Sequence, residues 1–244
     1  MQVPKSHPRY RSLMTREKLV EGFRGGLVVP QGLIAQGRAE AFDYLLGERT
    51  IAPALQAEKV VAAYLALARR PVISVNGNVA ALAPREVVKL AGAIQARIEV
   101  NLFYRTEERV RRVAAHLGMA GARGVLGTRP HARIPGLKSR RALCSREGIY
   151  SADVILVPLE DGDRTQALVK MGKTVLAIDL NPLSRTSQDA TVAVVDEITR
   201  ALLNITKFVG RMKENADAAE RAIHSYDRAA NLRAVCAHLV KRFR

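Results

Sequence analysis

The sequence predicts an α/β fold in which a parallel sheet is flanked by helices, with a helical portion before the sheet and more helices after it. Short apolar runs rich in Val and Ile alternate with helical windows between residues 72 and 196. This alternation is typical of parallel sheets with right-handed crossovers. We therefore expect N-terminal helices in residues 1–70, an α/β core in 71–200 and C-terminal helices in 201–244, packed as one domain.

Each predicted element follows from apolar periodicity and from the Pro and Gly residues at its ends. Before the sheet, helices are predicted at residues 8–24, 32–46 and 52–70. The predicted strands are residues 72–75, 98–103, 154–157, 174–178 and 191–195, and the helices between them are 84–96, 106–117 and 163–171. Two helices follow, at 197–214 and about 216–242. Residues 121–150 lack periodicity and predict a basic surface loop that contributes to a site or an interface.

Composition narrows the classes of function. The net charge of +16 raises nucleic acid as a partner, but aromatic residues make up only 5% and Trp is absent, so bases would find few stacking surfaces. Small anionic substrates account for the charge better. No apolar run approaches the roughly 18 residues that a membrane span needs, and the first residues lack the apolar core of a signal peptide. We expect a cytoplasmic protein with no membrane or nucleic-acid partner. Its two cysteines lack the spacing of a metal site or a disulfide framework.

Polar residues follow four of the predicted strands. Ligands of open parallel sheets bind at this carboxyl edge, so these loops are the candidate site. After the first strand, Asn76-Gly77-Asn78 predicts a tight turn whose backbone N–H groups face an anion, although a plain turn accounts for it equally well. It lacks the glycine spacing of a dinucleotide-binding loop and of a P-loop.

The densest group of charges is Glu160-Asp161-Gly162-Asp163-Arg164-Thr165, after the third strand. Its carboxylates suit Mg²⁺ together with a substrate phosphate, or equally an ammonium group. Capping of the next helix by Asp163 or Thr165 is the structural alternative. Guanidinium groups match phosphate geometry, so five arginines are candidates for phosphate recognition. They are Arg16, Arg38, Arg105, Arg164 and Arg185. Motifs for a covalent hydrolase mechanism are absent.

Several of these segments together resemble the archaeal phosphopantothenate synthetase family, whose members are also called 4-phosphopantoate–β-alanine ligases. The most specific are EVNLFYRTEERV at 99–110 and PLEDGDRT at 158–165. The others are PKSHPRY at 4–10, REK at 16–18, GLIAQGRAEAFDYLLGERT at 32–50, SVNGNVAAL at 74–82, RIPGL at 133–137 and DLNPLSR at 179–185. They cover most of residues 4–200 in the family's order.

The resemblance implies a Rossmann-like homodimer that uses ATP to join (R)-4-phosphopantoate to β-alanine in coenzyme A biosynthesis, releasing AMP and diphosphate. It implies that ATP contacts Arg16, Arg38, Asp179, Leu180, Asn181, Arg185, Thr186, Glu197 and Ile198.

From the residues and the resemblance together we expect an acyl-adenylate pathway with Mg²⁺. Asn76, Gly77, Asn78 and Arg105 would hold phosphopantoate, and Asp161, Asp163 and Arg164 would take part in catalysis. The metal ligands themselves are not predicted. Two other classes stay open at this point: a kinase, which would form ADP, and a basic nucleic-acid-binding protein.

Overall fold

A five-stranded parallel sheet organises the chain in the computed structural model, which describes residues 4–242. The strands are β1 (Val72–Val75), β2 (Arg97–Val100), β5 (Val154–Pro158), β6 (Thr174–Ile178) and β7 (Val192–Val194), in the spatial order β2-β1-β5-β6-β7. Two short strands, β3 (Ala132–Arg133) and β4 (Leu143–Cys144), pair separately as an antiparallel ribbon. The predicted Rossmann-like α/β fold is confirmed. Strand order reverses between β1 and β5, and such a switch point opens a crevice at the carboxyl edge.

The helices are α1 (Tyr10–Arg24), α2 (Pro30–Leu46), α3 (Ala52–Leu67), α4 (Gly77–Leu82), α5 (Pro84–Ile94), α6 (Glu107–Met119), α7 (Gly162–Lys170), α8 (Arg185–Asp189), α9 (Ile198–Glu214), α10 (Ala216–His224) and α11 (Arg228–Lys241). No helix within residues 4–242 combines the length and the apolar character needed to cross a membrane.

Side-chain alternation along the strands fills two apolar layers, because successive residues of a strand point to opposite faces. Leu156 of β5 packs with residues of α3, α5, α6 and α9 on one face. Its neighbours Ile155 and Val157 pack on the other face against α7 and the segment before β5. Both faces of the sheet are therefore covered, which explains why the strands read as continuous apolar runs.

Three predicted elements differ most from the structure, each for a local reason. β2 ends at Val100 rather than residue 103, since the buried Asn101 side chain donates to the Arg141 and Leu143 carbonyls at 3.1 and 3.0 Å. Helix α3 ends at Leu67 rather than at residue 70, since the Asp153 carboxylate accepts the backbone N–H groups of Arg69 and Arg70. The last predicted helix divides into α10 and α11, with Asp227 capping the second.

The segment 121–150 was predicted as a surface loop, but it covers one face of the sheet. Its apolar residues Ile134, Cys144 and Ile149 are fully buried there. The carboxylate of Glu99, on β2, accepts the backbone N–H groups of Ser145 and Ile149, both at 2.7 Å. Burial raises the pKa of Glu99, and these two hydrogen bonds oppose that rise. A buried acceptor thus anchors the segment to the central sheet.

A second buried polar cluster lies where α3, α9 and the end of β7 meet. Asn204 donates to the Glu58 carboxylate at 3.0 Å, and Arg200 pairs with Asp196 at 2.7 Å and also with Asp43. Burial, and after it the nearby carboxylate of Asp196, raise the pKa of Glu58 to about 9. Glu58 therefore stays protonated in the folded protein at pH values where it ionises in the unfolded chain.

Glu58→Gln should make stability less dependent on pH. Where folding raises the pKa of a carboxyl group, the protein loses stability as pH rises from the pKa of that group in the unfolded chain to its pKa in the folded protein. Between about pH 4.5 and 9 the wild type should lose this contribution and the variant should keep it. Near pH 9 we expect the variant to be more stable by about 2 kcal/mol or more, measured by urea denaturation. The exposed Glu220→Gln serves as the control. Parallel pH profiles for wild type and Glu58→Gln would contradict the assignment.

Candidate functional site

A cavity of about 350 Å³ opens at the switch point, between the carboxyl ends of β1, β5 and β6 and under helix α2. We call it the switch-point cavity. Its charged and amide-bearing wall residues are Gln31, Gln36, Arg38, Asn76, Asn78, Arg109, Arg141, Glu160, Asp161, Asp179 and Asn181. Leu102, Phe103, Tyr104, Phe42 and Ala39 supply apolar surface. This mixture suits a ligand that has both a flat apolar part and anionic groups.

The end of β1 forms the floor of the cavity. Asn76 accepts from the backbone N–H of Val79 at 3.1 Å and so caps α4, while its side-chain amide donates to the Leu159 carbonyl at 2.9 Å. The predicted tight turn is therefore the beginning of a helix. Gly77 is required there, because a Cβ atom would overlap the backbone carbonyl of Leu27. Asn76 thus holds the ends of β1 and β5 at a fixed separation across the switch point.

The roof of the cavity is tied to this floor. Asn78 donates to the Gly32 carbonyl of α2 at 2.8 Å. Arg109 donates to the carbonyls of Leu27 and Tyr104 at 2.9 and 2.8 Å. Because these two carbonyls hold its guanidinium group, Arg109 presents a fixed positive charge to the cavity.

The end of β6 forms one side wall. Asp179 accepts from the backbone N–H of Asn181 at 3.0 Å and from the Ser184 hydroxyl at 2.6 Å. Burial raises the pKa of Asp179, and both hydrogen bonds and the charge of Arg38 on α2 oppose that rise. This strand end is therefore rigid, and it faces a guanidinium group across the cavity.

The end of β5 carries a chain of alternating charges. The buried Glu160 carboxylate pairs with Arg141 at 2.6 Å and with Arg164. Arg141 pairs in turn with Asp161 at 2.9 Å. Asp161 is the exposed end of this chain, with its side chain 47% accessible. Partial burial raises the pKa of Asp161, and the charge of Arg141 opposes that rise.

The other predicted site residues lie outside the switch-point cavity. Arg16 pairs with Glu40 at 2.9 Å on the surface of α1, and the exposed Arg185 pairs with Asp163. Arg105 is buried and donates to the Gly127 carbonyl.

The predicted cofactor residues near α8 and α9 contribute to the framework around the cavity. The Thr186 hydroxyl donates to the Glu160 carbonyl at 2.8 Å. Glu197 caps α9 by accepting from Thr199 and Arg200. The side chains of Leu180 and Ile198 are buried in the apolar layers.

Sequence reasoning missed Arg109 and Arg141. Arg109 lies within a helical window and Arg141 within the segment 121–150, and nothing in one sequence separates either from a surface arginine. Only the packing of that segment onto the sheet brings Arg141 to the end of β5. Within residues 4–242, no three His, Cys, Asp or Glu side chains gather around a common point as metal ligands would.

The fold and the cavity define an α/β protein with a ligand-sized, charged cavity at the switch point of its sheet. The model of the phosphopantothenate/pantothenate synthetase family matches residues 53–242, and the chain belongs to that family. A 4-phosphopantoate–β-alanine ligase of Methanosarcina mazei is 55% identical over 231 residues, which are 94% of this chain and 91% of that protein. Enzymes of the same name from Thermococcus onnurineus and Thermococcus kodakarensis are 51% identical over 98% and 97% of this chain, and 92% of each relative is covered.

Glu160→Gln should destabilise the protein strongly, because it leaves two buried guanidinium groups without their shared carboxylate. Removing one partner of a buried ion pair costs about 3–5 kcal/mol. The matched control is Glu108→Gln, which breaks an exposed helical pair with Arg112 and should cost about 0.5 kcal/mol or less. Free energies of unfolding from urea denaturation compare the two. Equal losses would mean that the charge chain contributes no more than a surface pair.

Proposed function

We propose that this protein is an ATP-dependent ligase that condenses (R)-4-phosphopantoate with β-alanine to form 4′-phosphopantothenate, AMP and diphosphate, in coenzyme A biosynthesis. The relatives that match nearly the whole chain are named for this reaction. The observation that carries the proposal is that Asn76-Gly77-Asn78, Asp161 and Asp179 line one cavity at the switch point. The chain therefore offers a single space in which two anionic substrates can react.

The nucleotide fits the side of the cavity near β6 and α2. Arg38 faces the wall formed by Asp179 and Asn181, and Phe42 and Ala39 supply an apolar surface for a base. Arg185 and Thr186 begin α8 directly beyond this wall. Arg16 lies farther out on α1, where its pairing with Glu40 would have to open before it could contact a phosphate.

Phosphopantoate fits the side near β1. Asn76 and Asn78 line the floor, and Arg109 and Arg141 supply the positive charges that a phosphate and a carboxylate require. Arg105, predicted as a direct ligand, is held behind the wall by its bond to Gly127, so we assign it to positioning the Tyr104–Arg105 loop.

The proposed chemistry has two steps. The carboxylate of phosphopantoate attacks the α-phosphorus of ATP, forming an acyl-adenylate, and diphosphate leaves. The amine of β-alanine then attacks the acyl carbon, the C–N bond forms, and the acyl–oxygen bond to AMP breaks. Holding the three reactants together in the right orientation supplies much of the acceleration, because the reacting groups no longer have to meet by diffusion.

Mg²⁺ would offset the charge that develops on the phosphates. The ion commonly takes one or two carboxylates together with substrate phosphates and water. Asp161 and Asp163 flank the start of α7, and each pairs with an arginine, Arg141 and Arg185 respectively. Asp161 lines the switch-point cavity and Asp163 does not, so we assign Asp161 to the amine of β-alanine.

A cytoplasmic homodimer forms part of the same proposal. Ile34 and Tyr44 on α2 are 74% and 68% exposed, and unpaired apolar side chains of that size favour burial against a second copy. Sedimentation-velocity centrifugation would measure the dimer.

Incubation with ATP, Mg²⁺, phosphopantoate and β-alanine should yield phosphopantothenate and one AMP per product molecule, detected by mass spectrometry. Unphosphorylated pantoate is the control, and it should yield far less product because the phosphate contacts of Arg109 and Arg141 are lost. ADP in place of AMP would indicate a kinase and would overturn the ligase proposal.

Asp161→Asn should lower kcat by about 10²–10⁴-fold, the usual range for loss of a group that accepts a proton in the reaction. The raised pKa of the Asp161 carboxyl suits acceptance of a proton from the β-alanine ammonium. The KM for ATP should change little. Asp217→Asn, on the distant surface of α10, is the control, and thermal denaturation checks that both variants fold. Turnover at the wild-type rate would remove Asp161 from the mechanism.

A further inference from the structure

A second cavity of about 490 Å³ adjoins the first. It lies between helix α7 and the segment 135–139, and we call it the α7 cavity. Phe103, Arg141 and Asp161 line both cavities and so form their shared wall. A ligand in the α7 cavity would therefore lie beside Asp161, next to the switch-point cavity.

The α7 cavity has opposite charges at its two ends. Lys138 and Lys170 line it from the segment and from the last turn of α7, and both are exposed. Asp161 supplies a carboxylate at the shared wall. Asp163 also borders this cavity, but it does not line the switch-point cavity as Asp161 does. The cavity therefore suits a short molecule with a carboxylate at one end and an ammonium at the other.

Arg164 contributes to the wall of the α7 cavity without offering a contact to a ligand there. Its side chain is 1% exposed, and Nη1 pairs with Glu160. Its Nε and Nη2 atoms are buried without a hydrogen-bond acceptor within residues 4–242. The exposed positive charges at this cavity are therefore those of the two lysines.

We propose that the α7 cavity is the binding site of the amine substrate, a short ω-amino acid whose carboxylate faces Lys138 and Lys170 and whose ammonium faces Asp161. This inference rests on the proposed function and adds where and how the amine is recognised. A cavity of about 350 Å³ lies at the small end of ligand sites, so a nucleoside triphosphate and a phosphorylated acid would leave little room in it for the amine. The shared wall delivers its nitrogen to the reacting carboxyl group.

In the reaction, the ammonium gives a proton to the Asp161 carboxylate, and the freed nitrogen pair forms the C–N bond. AMP leaves with the electrons of the broken acyl–oxygen bond. A second proton leaves the nitrogen to solvent as the amide forms. Lys138 and Lys170 do not touch the reacting atoms, so they govern binding and selectivity for the carboxylate rather than the rate of the chemical step.

The test is the double variant Lys138→Gln and Lys170→Gln. We expect the KM for β-alanine to rise about tenfold or more, as loss of hydrogen bonds to a charged group implies, while kcat and the KM for ATP stay within about twofold. Propylamine has the same three-carbon chain, with a methyl group in place of the carboxylate. The wild type should prefer β-alanine over it, and the double variant should lose most of that preference. Lys89→Gln, on the exposed face of α5, is the matched control.

Direct binding separates this inference from the proposed function. Saturation-transfer NMR with β-alanine, ATP and Mg²⁺ needs no turnover. Signal from the wild type but not from the double variant supports the site even if phosphopantothenate is not formed, in which case only the proposed function fails. Equal signals, or an unchanged KM for β-alanine in a wild type that does form product, would overturn the site.

Discussion

The buried Glu160 carboxylate, held between the guanidinium groups of Arg141 and Arg164, is the interaction on which the functional site depends. Arg141 comes from the segment that covers the sheet, and Arg164 comes from α7. Glu160 itself follows the end of β5 at the switch point. One carboxylate therefore joins three parts of the chain and fixes the wall between two cavities. Buried ion pairs rarely add net stability compared with apolar packing, so the value of this one lies in the geometry it specifies.

Opposite sides of the switch point are connected by amide groups rather than charges. The Asn76 side chain links the end of β1 to the end of β5, and Asn78 links α4 to α2. Neutral hydrogen bonds of this kind fix distances without adding charge, so the charges that face the cavity come from other residues, among them Arg38, Arg109 and Asp161.

Much of the fold could be predicted from the sequence, because buried parallel strands and bounded helices leave local patterns. The strands at 72–75 and 174–178 were predicted to the residue. The packing of segment 121–150 was not predicted, because the hydrogen bonds that hold its backbone to the sheet come from Glu99, which is distant in sequence. The loops that form the cavity were visible as polar strand ends, whereas Arg109 and Arg141 reach it only through tertiary packing. The roles of Arg16, Arg185 and Glu197 remain predictions.

The carboxyl groups of this protein lie in different surroundings, and the influences on their pKa follow from those surroundings. Glu58 and Glu99 are enclosed within the core, and burial raises the pKa of each. Asp161 keeps about half of its side chain accessible, and the charge of Arg141 beside it opposes the rise in pKa that burial causes. A group that exchanges a proton with an amine must be reachable by that amine, and a group that only holds a segment in place need not be. Position along the charge chain, more than residue type, therefore separates Asp161, to which we assign the amine, from its buried neighbour Glu160.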